Sequence, residues 1–183
     1  MKREGRNHSG QAYSLTVVTP ILADHVSELA AYLDALGPED ASPLARVTGT
    51  HFARWVILDD VVYEGGRQRR DALKAARLLF TSNFDGPLDA YLEALRTEMG
   101  EDADAVWSHC AGYPGRADPA AFAAYFRSHQ VESALFFAAY GDQTVDEVRT
   151  NLAQRTRLIE FAMAVQGLSA AELQARFQVE FPS

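Results

Sequence analysis

Hydrophobic residues follow two different periods along the chain, and each period predicts one kind of element. Apolar, β-branched and aromatic stretches that end at turn residues are typical of strands. Four such stretches occur, at residues 13–19, 50–60, 77–84 and 132–140. Apolar residues that recur every three or four positions instead predict helices. The predicted helices lie within residues 21–38, 85–99, 103–110 and 119–129, from 144 to about 166, and from 169 onward.

Two pairs of residues mark where the last two helices begin. Thr144 is followed three residues later by Glu147, and Ser169 is followed in the same way by Glu172. This is the spacing of a capping box, in which the two side chains bond to backbone N–H groups at a helix N-terminus. The C-terminal helices are therefore expected to begin at about residue 144.

The order of these elements predicts an α+β fold. Strand, helix, two strands, helix and strand is the ferredoxin-like βαββαβ order, which gives an antiparallel sheet with helices on one face. The helices at 103–110 and 119–129 are then insertions. Residues 1–12 are polar and predict a disordered N-terminal arm, which leaves residues 13–183 as a single domain.

The second face of this sheet also needs a cover, because the strands carry apolar residues on both sides. Either the C-terminal helices fold across it, or the sheet of a second subunit packs against it. The second arrangement is the dimeric α+β barrel, which we favour, so that a homo-oligomer is expected.

Composition excludes several classes of function. The chain has 183 residues, is 48% hydrophobic and carries a formal charge of −8. An acidic chain lacks the basic face that general nucleic-acid binding needs. No apolar run of about 18 residues is present, and the N-terminus has no apolar signal segment. We therefore expect a soluble cytoplasmic protein with no nucleic-acid partner and no transmembrane segment.

Polar residues at the ends of two predicted strands indicate a pocket. Pairing residues 50–60 with 77–84 allows two registers, and one of them places Arg54 on the same face as Thr81 and Asn83. We choose this register because it leaves Trp55 with the aromatic residues of the helix-covered side. Arg54, Thr81, Asn83 and the nearby Asp85 then become substrate-binding candidates in a pocket between the sheet and its cover. The alternative is an internal Arg54–Asp85 ion pair, with Asp85 also capping a helix.

Histidines supply the remaining candidates for chemistry. His51 and His109 are candidate proton-transfer groups beside Arg54 and Asn83, although alternation puts His51 on the opposite face from Arg54. His129 falls on an aromatic helix face. It could be a ligand, or it could be a hydrogen-bonded residue of the core. No two histidines have the close spacing of ligand pairs, and the single cysteine, Cys110, offers none, so no metal site is expected.

Arginine and lysine concentrate in one predicted connection of an otherwise acidic chain. They are Arg67, Arg69, Arg70, Lys74 and Arg77. This basic segment could attract an anionic substrate or an acidic partner, or could be a solvated hairpin tip.

Three segments of the chain resemble a known group. These are "GTHFARWVILDD", "LLFTSNFDGPLDAYLEAL" and "VWSHCAGYPG". Together they are similar to poorly characterised bacterial dimeric α+β-barrel proteins, in a superfamily that includes dye-decolourising peroxidases, chlorite-dismutase-like haem enzymes and cofactor-free monooxygenases. The resemblance implies oxidative chemistry. If haem is the cofactor, it implies His109 or His129 as the axial ligand, although the G-x-x-D-G motif of the peroxidases is absent.

Two main hypotheses follow. In the first, the chain is an oxidative small-molecule enzyme in which Arg54 holds an anionic or carbonyl group, Asn83 orients it, and His51 or His109 transfers protons. In the second, it is a non-catalytic ligand-binding or assembly protein that uses the sheet and the long C-terminal helix. A third hypothesis, redox sensing through Cys110, has the least support.

Overall fold

The structure is a computed structural model, and it describes residues 6–37, 41–60, 65 and 73–182. The strands are β1 (His8–Ser9), β2 (Ala12–Pro20), β3 (Thr50–Leu58) and β4 (Arg77–Asp85). The helices are α1 (Val26–Ala35), α2 (Leu88–Glu98), α3 (Glu101–Trp107), α4 (Pro119–Ser128), α5 (Val145–Ala164) and α6 (Ala170–Glu180), and a 3-10 turn covers Pro43–Arg46. The fold is therefore mixed α+β, as the sequence predicts.

The four strands form one antiparallel sheet in the order β1-β2-β4-β3. Arg54 pairs with Thr81, and Trp55 pairs with Phe80. The register chosen from the sequence is thus confirmed. A β-bulge at Thr50–Phe52 interrupts the pairing at one end.

One face of the sheet is packed against helices, and the main core lies there. Alternate residues of β2 and β4 on this face are buried, among them Leu15, Val17, Phe80 and Phe84. Trp107 of α3 lies at the centre of the aromatic packing, 5.3 Å from the ring of Phe80 between centroids. The apolar face that alternation gives the strands thus packs against the apolar faces that the helical spacing gives the helices.

The predicted fourth strand at residues 132–140 is wrong, and with it the complete βαββαβ order. Only the preceding residues reach the sheet, where Gln130 forms an isolated bridge with Val17. Further along this edge, β1 already occupies the start of β2, because His8 pairs with Tyr13. Residues 132–140 therefore lie beside β1 with large apolar side chains exposed, including Leu135 and Phe137.

Part of the predicted N-terminal arm, from Arg6 to Gln11, is held against the sheet and the segment around residues 133–141. Residues 1–5 lie outside the described residues, but Asn7 and Ser9 bond through their side chains to the backbone N–H groups of Ser133 and Ala138. Gly10 has a φ of 62°, and a Cβ there would meet the carbonyl oxygen of Gly141 at 2.3 Å. This close approach requires glycine.

The chain divides into two compact units, Met1–Val145 and Asp146–Ser183. The sheet and helices α1–α4 belong to the first unit. In the second unit, Ser169 caps α6 and forms the predicted capping box with Glu172. In the part of the chain that the structure describes, none of the helices combines the length and apolarity that a membrane span requires.

Candidate functional site

The first candidate region is the face of the sheet that points away from the α1–α4 core, here called the outer face. It is formed by Ser14, Thr16, Val18, Phe52, Arg54, Val56, Leu58, Arg77, Leu79, Thr81 and Asn83. Apart from Arg54 in the middle of this face and Arg77 at its edge, every one of these side chains is uncharged. The ring of Phe52 is exposed over 77% of its surface, and Arg54 is also exposed.

Arg54 lies beside Thr81 but not beside Asp85. Its Nε donates a hydrogen bond to Oγ1 of Thr81 at 3.2 Å. The alternative Arg54–Asp85 ion pair is not formed, because the carboxylate of Asp85 contacts His51 and Val145. In the single chain the Arg54 guanidinium is exposed, so its enclosure in a pocket between the sheet and a cover stays a prediction. Thr81 and Asn83 share its face as predicted.

The β-bulge changes the expected place of His51. A bulge inserts one residue into a strand and re-aims its side chain. Nε2 of His51 lies 2.7 Å from Oδ1 of Asp85, while Oδ2 of Asp85 accepts a hydrogen bond from the backbone N–H of Val145 at 2.7 Å. His51 and Asp85 therefore form a largely buried imidazole–carboxylate pair at the end of the sheet, a short distance along β3 from Arg54.

The second candidate region is a histidine cluster formed by His25, Glu28 and His109. Nδ1 of His25 lies 3.0 Å from Nδ1 of His109, and Oε2 of Glu28 lies 4.0 Å from the same His109 nitrogen. One ligand atom from each residue lies within 4.8 Å of the other two. The side chain of His109 is 12% exposed, whereas that of Glu28 is 74% exposed. The cluster thus joins a buried imidazole to a solvent-facing carboxylate.

Backbone hydrogen bonds hold the histidine cluster together. The carbonyl oxygen of His109 accepts a bond from Leu22 N–H, and Ala111 N–H donates to the carbonyl oxygen of Pro20, both at 2.8 Å. The segment after α3 therefore runs along the end of β2, just before α1 begins. His25 is the N-cap residue of α1 and Glu28 follows three residues later in its first turn, so they lie on one side of that helix. Asp24, immediately before them, has a positive φ of 65°, which is uncommon for a non-glycine residue.

Cys110 lies beneath this cluster and is buried. Its Sγ accepts a hydrogen bond from Oγ1 of Thr19 at 3.2 Å, and Thr19 is fully buried. Burial raises the pKa of the Cys110 thiol, and the bond from Thr19 lowers it by a smaller amount. Burial also raises the pKa of the nearby Tyr125 phenol, and the Cys110 thiol adds to this shift. The burial of Cys110 and its bond from Thr19 fit a packing role.

His129 is held by its own helix. Its Nδ1 lies 2.9 Å from the carbonyl oxygen of Tyr125 and 3.1 Å from Oγ of Ser128, so its ring is engaged with its own helix α4. Nδ1 of His109 is likewise engaged with His25. Haem binding through His109 or His129 therefore stays an expectation from the resemblance.

The sequence missed two members of the histidine cluster. His25 and Glu28 are not among the residues predicted for the site, and His109 is predicted beside Arg54 rather than beside them. The 84-residue separation of His25 from His109 hides their contact from any local motif. The one available signal was the H-x-x-E spacing at the start of a predicted helix.

The predicted basic segment lies mostly outside the described residues. Arg67, Arg69 and Arg70 are not described, while Lys74 and Arg77 are. Its role therefore stays a prediction.

Comparison with known protein families, with curated proteins and with solved structures found no match to this chain. The resemblance to dimeric α+β-barrel proteins, and the oxidative chemistry that it implies, therefore stay expectations.

Proposed function

We propose that the chain is a small-molecule enzyme whose binding cavity forms between the outer faces of two copies. The observation that carries this proposal is the Arg54 guanidinium, which contacts Thr81 in the middle of the outer face, where the neighbouring side chains are uncharged. Interface cores are depleted of charged residues, so a cation at the centre of this face fits a covered surface that receives an anionic or carbonyl ligand.

A second copy of the chain is the proposed cover. An isologous interface brings the same patch from both chains together, and the uncharged side chains around Arg54 can pack against their own copies. Two antiparallel sheets that pack face to face lie about 10 Å apart, which leaves room for side chains such as Phe52 to interdigitate. This arrangement would also remove the exposed ring of Phe52 from water.

Each polar residue has a role in this proposed cavity. Arg54 holds the anionic or carbonyl group of the ligand and stabilises negative charge that develops on it. Asn83 and Thr81 orient the ligand by hydrogen bonds. His51 is the proton-transfer group, because Asp85 holds its imidazole as a catalytic base is held in hydrolases. His109 has no part in this site, since it belongs to the histidine cluster. The oxidative character of the reaction is supported by the resemblance alone.

The first experiment measures the mass of the full chain in solution by light scattering. We expect a dimer that dissociates when Phe52→Asp places a carboxylate on the outer face. Leu135→Asp is the matched control, because Leu135 is 86% exposed in the segment beside β1 and outside the outer face. A monomeric wild type, or a dimer that survives Phe52→Asp, would contradict the proposed cavity.

The second experiment measures binding of benzoate, a small aromatic carboxylate, by calorimetry. Loss of a charge-assisted hydrogen bond costs about 1.5–3 kcal/mol, so Arg54→Gln should weaken binding at least ~10-fold. Arg127→Gln is the control, since Arg127 pairs with Asp89 on the helix side of the sheet. Equal affinities for both variants would remove Arg54 from the site.

The alternative function is a non-catalytic ligand-binding or assembly protein. It is favoured by the exposure of Arg54 in the single chain and by large exposed apolar side chains on α5. These include Leu152, Leu158, Ile159 and Met163. Such patches mark protein contacts. Loss of the oligomer in Met163→Asp, with no effect of Phe52→Asp, would favour this function over the enzyme.

A further inference from the structure

We propose that His25, Glu28 and His109 bind one divalent first-row transition-metal ion per chain. Two imidazoles and one carboxylate are the donor set of catalytic zinc sites and of non-haem iron(II) sites, both of which leave coordination positions open. This inference goes beyond the proposed outer-face cavity and does not depend on it.

The distances between the donors fit a single ion. Nitrogen atoms that bind one ion at about 2.0–2.1 Å lie about 2.9–3.4 Å apart at coordination angles between square and tetrahedral. The Nδ1 atoms of His25 and His109 are 3.0 Å apart. Glu28 is exposed over 74% of its side chain, so its carboxylate has room to rotate from its present 4.0 Å separation into the same sphere.

The donors are also held before any ion arrives. His109 is fixed by the backbone bond from Leu22, and His25 N–H bonds to the carbonyl oxygen of Leu22 at 3.2 Å. The backbones of both histidines are thus tied to one residue, Leu22. The positive φ of Asp24 directs the chain into α1 at this point, and such strained positions are frequent at ligand-binding sites.

The hard cations Mg²⁺ and Ca²⁺ prefer six or more oxygen donors, which this cluster does not offer. Zn²⁺ and Fe²⁺, in contrast, both bind imidazole nitrogens together with a carboxylate oxygen. The exposed carboxylate leaves the ion accessible from solvent, so water or a small oxygen-donor ligand would complete its coordination. The other reading of the same contact is a plain hydrogen bond between two neutral imidazoles, in which one ring donates and the other accepts.

The test is a metal titration of the full chain, without a histidine tag, after dialysis against a chelator. Zn²⁺ is titrated by calorimetry and Fe²⁺ anaerobically, with Mg²⁺ as the negative control. We expect one Zn²⁺ or Fe²⁺ per chain, affinity that falls as the pH is lowered because imidazole ligands must be deprotonated, and a higher Tm with metal. Co²⁺ should give visible absorption bands that report nitrogen ligation.

Three variants remove one donor each: His25→Ala, Glu28→Gln and His109→Ala. Even loss of an outer hydrogen-bond partner costs a metal site 10–100-fold in affinity, so each variant should bind at least ~10-fold more weakly. Glu28→Gln is the decisive variant, since the exposed side chain can change without disturbing the fold. His8→Ala is the control, because His8 lies in β1 and contacts Tyr13.

The proposal is overturned if the wild type binds no Zn²⁺ and no Fe²⁺, if Glu28→Gln and His25→Ala bind them as tightly as His8→Ala does, or if Mg²⁺ binds equally well. Each of these results would leave the cluster as an imidazole hydrogen bond with a nearby surface carboxylate. The outer-face cavity would be unaffected, since its tests use other residues.

Discussion

Asp85 joins the bulged start of β3 to the start of α5, because its two carboxylate oxygens bind His51 and the backbone N–H of Val145, each at 2.7 Å. Hydrogen bonds to a charged group contribute about 1.5–3 kcal/mol each when well shielded. Asp85→Ala should therefore lower the free energy of unfolding by about 2–3 kcal/mol in urea denaturation and speed amide exchange at Val145.

Asp34→Ala is the control for this prediction. Asp34 is an exposed residue of α1, and surface substitutions usually change stability by less than about 0.5 kcal/mol. If Asp85→Ala matched this control, the contact with His51 and Val145 would contribute nothing to the fold.

The phenol of Tyr91 satisfies a buried hydroxyl of the sheet. Its oxygen lies 2.6 Å from Oγ of Ser82, which is fully buried, and accepts a bond from Oγ1 of Thr50 at 3.3 Å. Tyr91→Phe should lower the free energy of unfolding by about 1–3 kcal/mol, because it leaves the Ser82 hydroxyl without this partner in the core.

The double variant Tyr91→Phe/Ser82→Ala tests the reason for that loss. Removing both partners of a buried hydrogen bond costs less than removing one, so the double variant should be more stable than the sum of the single changes implies. Strict additivity, measured by urea denaturation, would show that the two hydroxyls do not interact. Tyr140→Phe, on a residue that is 77% exposed, is the control for the substitution itself.

Local patterns in the sequence predicted the parts of the fold that local chemistry decides. Alternation along residues 50–60 and 77–84 gave the register of Arg54 with Thr81, since the other register would have moved the aromatic residues out of the core. The capping box of Ser169 and Glu172 was visible for the same reason. The helix positions were predicted within a few residues of their observed ends.

The parts that the sequence could not predict depend on competition between distant segments. Residues 132–140 have the composition of a strand, but β1 takes the start of the sheet edge they would need, and the backbone contacts with β2 are made by the preceding residues His129, Gln130 and Val131. The β-bulge moved His51 away from its expected face. The contact of His25 with His109 depends on the backbone pairing near Leu22, which no short motif encodes.

Alkaline pH should weaken the link between α1 and α3. Burial and the bond to Asp102 at 2.6 Å raise the pKa of the Tyr32 phenol to about 12. A phenol with a folded pKa above its unfolded value contributes stability below the unfolded pKa, near 10, and loses it as the pH rises toward the folded pKa. The free energy of unfolding should therefore fall between about pH 10 and 12, and by less in Tyr32→Phe.

The contact between Tyr32 and Asp102 should also lose stability in acid, where the carboxyl group of Asp102 is protonated. The bond from Tyr32, followed by Arg46, lowers the pKa of Asp102. A carboxyl with a depressed folded pKa contributes stability above its unfolded value, near 3.9, and loses it as the pH falls through the folded pKa. Stability measured below about pH 4 should thus decline less steeply in Asp102→Asn than in the wild type. An unchanged slope would show that the Tyr32–Asp102 contact is not linked to folding.

The Cys110 thiol should react slowly in the folded chain. Burial raises its pKa, and only 2% of the residue is exposed, so both the thiolate population and its access to reagent are low. Alkylation by iodoacetamide at neutral pH should be at least ~10-fold slower in the native protein than in urea, since the thiolate is the reactive form. Native alkylation as fast as that of the unfolded chain would contradict the buried position and would support redox sensing through Cys110.

The variant Cys110→Ser keeps a hydroxyl beside Thr19. It should leave Zn²⁺ binding by the histidine cluster unchanged, because the thiol is not one of the proposed ligands.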